Sequence, residues 1–347
     1  MSARIRRLAP LLIAMAVLVF VLRRTNFDDL RAAVAHAPYG QLLAFSAVMA
    51  VVNCAADTLA MYYVFRWFGL HLRFLDLYTI RAATYLLAVI NYHAGQLGII
   101  GFLHRVGRIP LSQASGWILF IIGVWVGMLL LLASGGAFLG GPQARVLLPV
   151  LAAFGVGLIV YVIILVVQPR FLREPPPPPV AELTRMARLS HRAWTVLQAL
   201  LAPLLQAGLL GHVRAFLIRL PHLAVLIVWH FVALHAFGIN IPFLKAMLYL
   251  PVVFAVASLP ISVQGLGTSQ AAALYFFSGF VTDQAHANEA VLAYSLSMTA
   301  ISILSSLVIG LAFLQRGAKL GLSVSQAAEA PSPVTDVGPL PSTSAGP

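Results

Sequence analysis

Two short polar stretches hold most of the side chains that could do chemistry in this chain. "NYHAGQLG" at 91–98 offers Asn91, His93, Gly95 and Gln96. "PISVQGLGTSQ" at 260–270 offers Ser262, Gln264, Gly265, Gly267, Thr268, Ser269 and Gln270. Amides and hydroxyls donate and accept hydrogen bonds without carrying a fixed charge. Pro260 ends helical pairing behind it, while Gly265 and Gly267 permit positive φ and close backbone approach. A helix restarting near Thr268 presents free N–H groups and a positive dipole end, which suits an anion such as a phosphate. The chemistry these residues suggest is recognition of a polar head group. A third candidate is Asp57, the only acid inside an expected span, with Asn53 one turn before it. A carboxylate at membrane depth is functional by default. Its nearness to Arg66 leaves two readings open, a structural ion pair or a place on a transport path.

Bond-making chemistry has little support. The sequence has no clustered Asp pair of sugar-nucleotide spacing, no His-Glu-x-x-His, no Gly-x-Ser-x-Gly and no Gly-Lys-Ser/Thr phosphate loop. Neither catalysis nor a cofactor is therefore expected, although Asp57 or His93 could serve as base in an intramembrane transferase. Cys54 is the only cysteine, which rules out an internal disulfide. His230 and His235 are five apart on one helix, face different ways and lack a third ligand, so no metal is expected.

The elements that must position these groups are membrane helices. Hydrophobic residues make up 61% of the 347 and charged residues 9%, with mean hydropathy +0.93. Soluble domains carry about 25% charged residues, so the expected fold is all-α and polytopic. The net charge of +12, mostly arginine, is the excess that cytoplasmic loops carry rather than a nucleic-acid footprint. Spans of roughly 20 apolar residues fall at 41–65, 116–138, 146–167, 222–239 and 290–315, with a short uncleaved first span at 8–22. The stretch 168–221 is basic and includes five prolines at 175–179, a stiff spacer. Arg185, Arg188 and Arg192 form a basic stripe, read as a helix on the inner leaflet or as plain positive-inside charge. The expected organisation is a membrane domain over 1–320, containing the basic cytoplasmic stretch 168–221, followed by a disordered tail at 321–347.

Two further apolar regions, 82–103 and 246–280, are interrupted by the polar stretches. Both termini are expected in the cytoplasm, since that puts the basic groups at 4–7, 66–81, 105–108, 168–221 and 316–319 inside. That parity holds only if 82–103 enters and leaves on the cytoplasmic side and 246–280 on the outer side. As helices, 82–92 reach about 17 Å and 246–259 about 21 Å, short of a core of about 30 Å. The expectation is six full spans plus two re-entrant hairpins entering from opposite sides, or eight or more spans by looser counting. Broken backbone at membrane depth is tolerable around protein or a wet cavity. Paired broken helices of this kind surround transporter midplane sites. The competing reading makes both breaks packing devices, because small residues let helices approach.

Those residues also carry a resemblance. "LPISVQGLGTSQAAAL" (259–274) resembles the "LPISxGGLGxxE" signature of the flippase-like transmembrane domain found in lysylphosphatidylglycerol synthases and related stand-alone bacterial membrane proteins. "NYHAGQLGIIGFLHRVGRIPLSQA" (91–114) is similar to that family's region around its first break, and "AVLIVWHFVALHAFGI" (224–239) fits in order and spacing. The resemblance covers about residues 8–317. It implies a flippase-like inner-membrane translocator of a phospholipid or lipid-linked head group, without the soluble synthase domain. The family's pattern frequently has acids where Gln96 and Gln270 stand, so a neutral or anionic head group suits this chain better. The alternative is a non-transporting accessory subunit bound to an envelope-lipid synthase.

Overall fold

The structure, a computed structural model, describes residues 27–35, 37–90, 92–139, 148–167, 185–258 and 266–329. The expected first span, the polyproline spacer, residues 330–347 of the expected tail, and the candidates Asn91, Ser262, Gln264 and Gly265 lie outside them.

Ten α-helices are seen among the described residues: α1 (Phe27–Ala35), α2 (Tyr39–Trp67), α3 (Phe74–Ile90), α4 (Tyr92–Arg105), α5 (Leu111–Leu139), α6 (Leu148–Val167), α7 (Arg185–Ala236), α8 (Phe243–Ala257), α9 (Thr268–Phe277) and α10 (Ala287–Glu329). The protein is an all-α polytopic membrane protein. Within α2, α5, α7 and α10 lie stretches long and apolar enough to cross a bilayer. Unbroken helix is the only cheap way to satisfy backbone polar groups in hydrocarbon. Each expected span from 41–65 onward falls in one of these helices or in α6, except that 146–147 lie outside the described residues and 222–239 runs on past the end of α7 into the turn at Gly238. α7 is 52 residues long and breaks at Gly208, whose φ of 57° and ψ of −177° are non-helical. That backbone is open to glycine and strained for other residues. Residues 209–236 then form a helix of about 42 Å. α10 continues to Glu329, past the boundary expected at 320.

Both interrupted regions fold back on themselves. A Cβ added at Gly95 of α4 would meet Ala88 Cβ of α3 at 2.9 Å, and one at Gly98 would meet Leu87 Cδ1 at 2.8 Å. Those pairs run antiparallel. On the second hairpin Tyr249 of α8 packs on Phe276 of α9, with ring centres 5.0 Å apart, and Ala257 and Ser269 line one cavity. α3, α4, α8 and α9 have 17, 14, 15 and 10 residues. At 1.5 Å per residue, even the longest is about 25 Å, less than a hydrocarbon core of about 30 Å.

α10 is the ruler that gives the two hairpins their direction. Going along it, Tyr294 packs on Phe277 and Thr299 accepts a hydrogen bond from Gln270 at 3.5 Å. Further on, Gly310 packs on Leu86, Phe313 on Tyr78, and Gly317 on Ala83. The α8–α9 hairpin is thus followed toward its tip and the α3–α4 hairpin away from its tip. They enter from opposite ends of the bundle, and their tips converge near the middle of α10. One end carries Trp67, Phe68 and Trp117, with Phe68 stacked on Trp117. The other carries Tyr39, Phe237 and the loop after α9, where Asn240 N–H donates to Phe280 O and Ile239 bridges Val281. Gly238, with φ of 73°, supplies the left-handed turn there. In the same loop the Asp283 carboxyl accepts from His286 and from the Ala285 amide, which holds it below the usual carboxylate range.

Candidate functional site: a polar cavity where the hairpins meet

The converging tips border a cavity of about 270 Å³ inside the bundle. Asn53 and Asp57 come from α2, Arg81, Tyr85 and Ala88 from α3, Trp125 from α5, His222 and Trp229 from α7, Phe254 and Ala257 from α8, and Ser258 from the cap that follows α8. Helix α10 contributes Ser302, Ser305 and Ser306. A neighbouring cavity of about 150 Å³ shares Phe254, Ala257 and Ser302 with the first. It is also lined by His230, Ser269, Tyr294, Ser295 and Thr299. Ser295, Thr299, Ser302 and Ser306 are spaced at i, i+4, i+7 and i+11, which places them on one face of α10. Together they form a polar track of about 16 Å running past both hairpin tips. Water occupies about 30 Å³ per molecule in the liquid, so the larger cavity has room for several.

Asp57 is the electrostatic centre of the site. It is 1% exposed; Arg81 Nε donates to Oδ2 at 2.6 Å and Arg219 Nη2 to Oδ1 at 3.0 Å. Each guanidinium is also seated on an aromatic ring, Arg81 over Tyr85 at 4.8 Å and Arg219 over Trp125 at 5.2 Å. Of the two readings left open for Asp57, an ion pair with arginine is present, with these two residues rather than with the nearby Arg66, which donates to Tyr62 one turn back on its own helix. Arg81 and Arg219, assigned by charge counting to cytoplasmic loops, are buried between helices. The reason is length: α3 and the second part of α7 carry those positions inside the packed bundle, where Asp57 offsets their desolvation.

The described candidates from the polar stretches divide by role. Ser269 lines the smaller cavity. Gln270 is fully buried, and its Oε1 accepts the Gly267 N–H at 2.6 Å, closing the start of α9. Gly267 has φ of 82° and begins that helix, with half-buried Thr268 in its first turn. Gly95 seats α4 on α3, His93 is half-buried and Gln96 is 2% exposed. These six do not border either cavity. Arg81, His222 and the serines of α10 went unremarked in the sequence as site residues. Their signals were an arginine inside the apolar run of α3 and hydroxyls at helical spacing within α10.

Wetness of this cavity predicts a labelling pattern. In a Cys54→Ser background, Ser306→Cys should react with a small water-soluble thiol reagent, because thiolate forms only in contact with water. Leu311→Cys, on the outward face of the same helix and 61% exposed, should resist it in a bilayer. Equal resistance at both positions would make the cavity dry.

Comparison with curated proteins returned no match. A family model described as "Lysylphosphatidylglycerol synthase TM region" matches residues 7–318, a stretch that contains both hairpins, α10 up to Ala318 and every residue lining the two cavities. The chain therefore belongs to the lysylphosphatidylglycerol synthase transmembrane family.

Proposed function

We propose that this protein is a translocator that moves the head group of a phospholipid or lipid-linked molecule across a bacterial inner membrane while the acyl chains stay in lipid. One observation carries the reading: two half-length hairpins enter from opposite ends of the bundle and meet at a polar cavity beside a hydroxyl track. Each hairpin can gate one side, because the α8–α9 hairpin packs by Tyr294 and Thr299 of α10 and the α3–α4 hairpin by Gly310, Phe313 and Gly317. Ser269 faces the head group in this reading, and Gly95, Gln96, Gly267 and Gln270 set the shape of the two tips. The Trp67 end faces the cytoplasm, supported by Arg66, Arg73, Arg105, Arg108, Arg316 and Lys319 near it.

Transfer chemistry is disfavoured by the state of Asp57. Both of its oxygens accept from arginine, which engages the carboxylate in ion pairs instead of leaving it facing a substrate. The test is transport by the purified chain. Proteoliposomes containing it should let a bilayer-impermeant reductant bleach more than the outer-leaflet half of a head-group-labelled phospholipid. Bleaching that stops at one half, together with a stable complex with a lipid synthase, would replace the translocator by the accessory-subunit reading.

A further inference from the structure

The charges around the larger cavity do not balance. Among the described residues Asp57 is the only carboxylate lining either cavity, and it faces two arginines. The cluster therefore keeps one positive charge in excess, inside the bundle. Arg219 is 2% exposed, and among the described residues its Nε and Nη1 have no hydrogen-bond partner. His222 lines the cavity, is 7% exposed, and its Nδ1 also lacks one. Buried donors without acceptors and an uncompensated buried cation are both expensive. An anion in the cavity would offset the excess charge and offer His222 a hydrogen-bonding partner, whereas a cationic group would add to the charge cost.

We propose that the cavity binds a phosphate group, carried by a phospholipid head, against Arg81 and His222, with Asp57 as the resident counter-ion that offsets one arginine. This names the substrate chemistry of the translocator reading and rests on it. Arg219 touches Asp57 Oδ1 and Trp125 and is not itself in the lining. It is a positioning residue that sets the site's charge. Asp57 limits affinity, because it competes with the phosphate for Arg81. The occupancy of the site thus follows the sum of three charges rather than any single contact.

Binding to the detergent-solubilised full chain can be read from tryptophan fluorescence, since Trp125 and Trp229 line the cavity. The probes are dioctanoyl-phosphatidylglycerol, dioctanoylglycerol and inorganic phosphate. Wild type should bind the phosphatidylglycerol at least about tenfold more tightly than the uncharged dioctanoylglycerol. Arg219→Met should weaken it about tenfold and Arg219→Lys should leave it near wild type. Asp57→Asn should tighten it, and the double variant Asp57→Asn with Arg219→Met should return to the wild-type value. Saturable inorganic phosphate binding with the same order of variants also supports the site and makes its source the free anion. Unchanged binding in a folded Arg219→Met variant, or equal binding of the uncharged lipid, overturns the proposal. Should Asp57→Asn fail to fold, the Met–Lys pair at 219 still decides it. Correct binding order without lipid movement would sink the translocator reading alone; lipid movement by a protein whose binding ignores these charges would sink only this proposal.

Discussion

Truncating Asp57 to alanine is expected to remove about 3–5 kcal/mol from the folded bundle, the cost of leaving buried charge unpaired. The two arginines it holds are 4% and 2% exposed, so each would keep a buried guanidinium without its carboxylate. Thermal unfolding in detergent should show a midpoint many degrees lower. Replacing the whole cluster by apolar side chains of similar size, Asp57→Leu with Arg81→Met and Arg219→Met, should recover most of the loss, since that swap also removes the desolvation cost. Lipid movement should not recover with it. A cluster that serves only to hold α2, α3 and α7 together would regain both. An alanine variant that melts with wild type would mean that the carboxylate does not carry the arginines.

The second large effect concerns the joint of the first hairpin. Gly95→Val should abolish lipid movement in proteoliposomes while the protein still inserts and purifies. A Cβ there lies 2.9 Å from Ala88 Cβ and 3.3 Å from Thr84 O, distances that the neighbouring backbone must open to accept. Such overpacking costs about 1–3 kcal/mol, which a large membrane domain survives. The wedge also displaces Ala88, a wall of the cavity, and so disturbs the tip that must move. Gly123→Ala is the control, on α5, where a Cβ meets nothing within 4 Å. Transport by Gly95→Val at the wild-type rate would remove the first hairpin from the mechanism.

Much of the architecture could be read directly from residue order. Apolar runs of bilayer length appear as helices because lipid offers the backbone no other partner. The re-entrant hairpins were legible through two independent signals, a glycine-rich polar interruption and the parity of positive loops. Two arginines nevertheless misled the charge count. Arg81 and Arg219 look like loop charges because local sequence carries no mark of a distant carboxylate. Asp57 lies 24 positions from Arg81 and 162 from Arg219, and only packing brings the three together.

The division follows from the range of the forces. Hydropathy, glycine freedom and the cost of unpaired peptide groups act within one turn or one span, so the chain alone determined that there are membrane helices and where two of them break. Cavities and ion pairs depend on which helix faces meet. That was decided by the tertiary fold, which set the α10 serines opposite Asp57 and Arg81 and turned the described break residues mainly to joining helices.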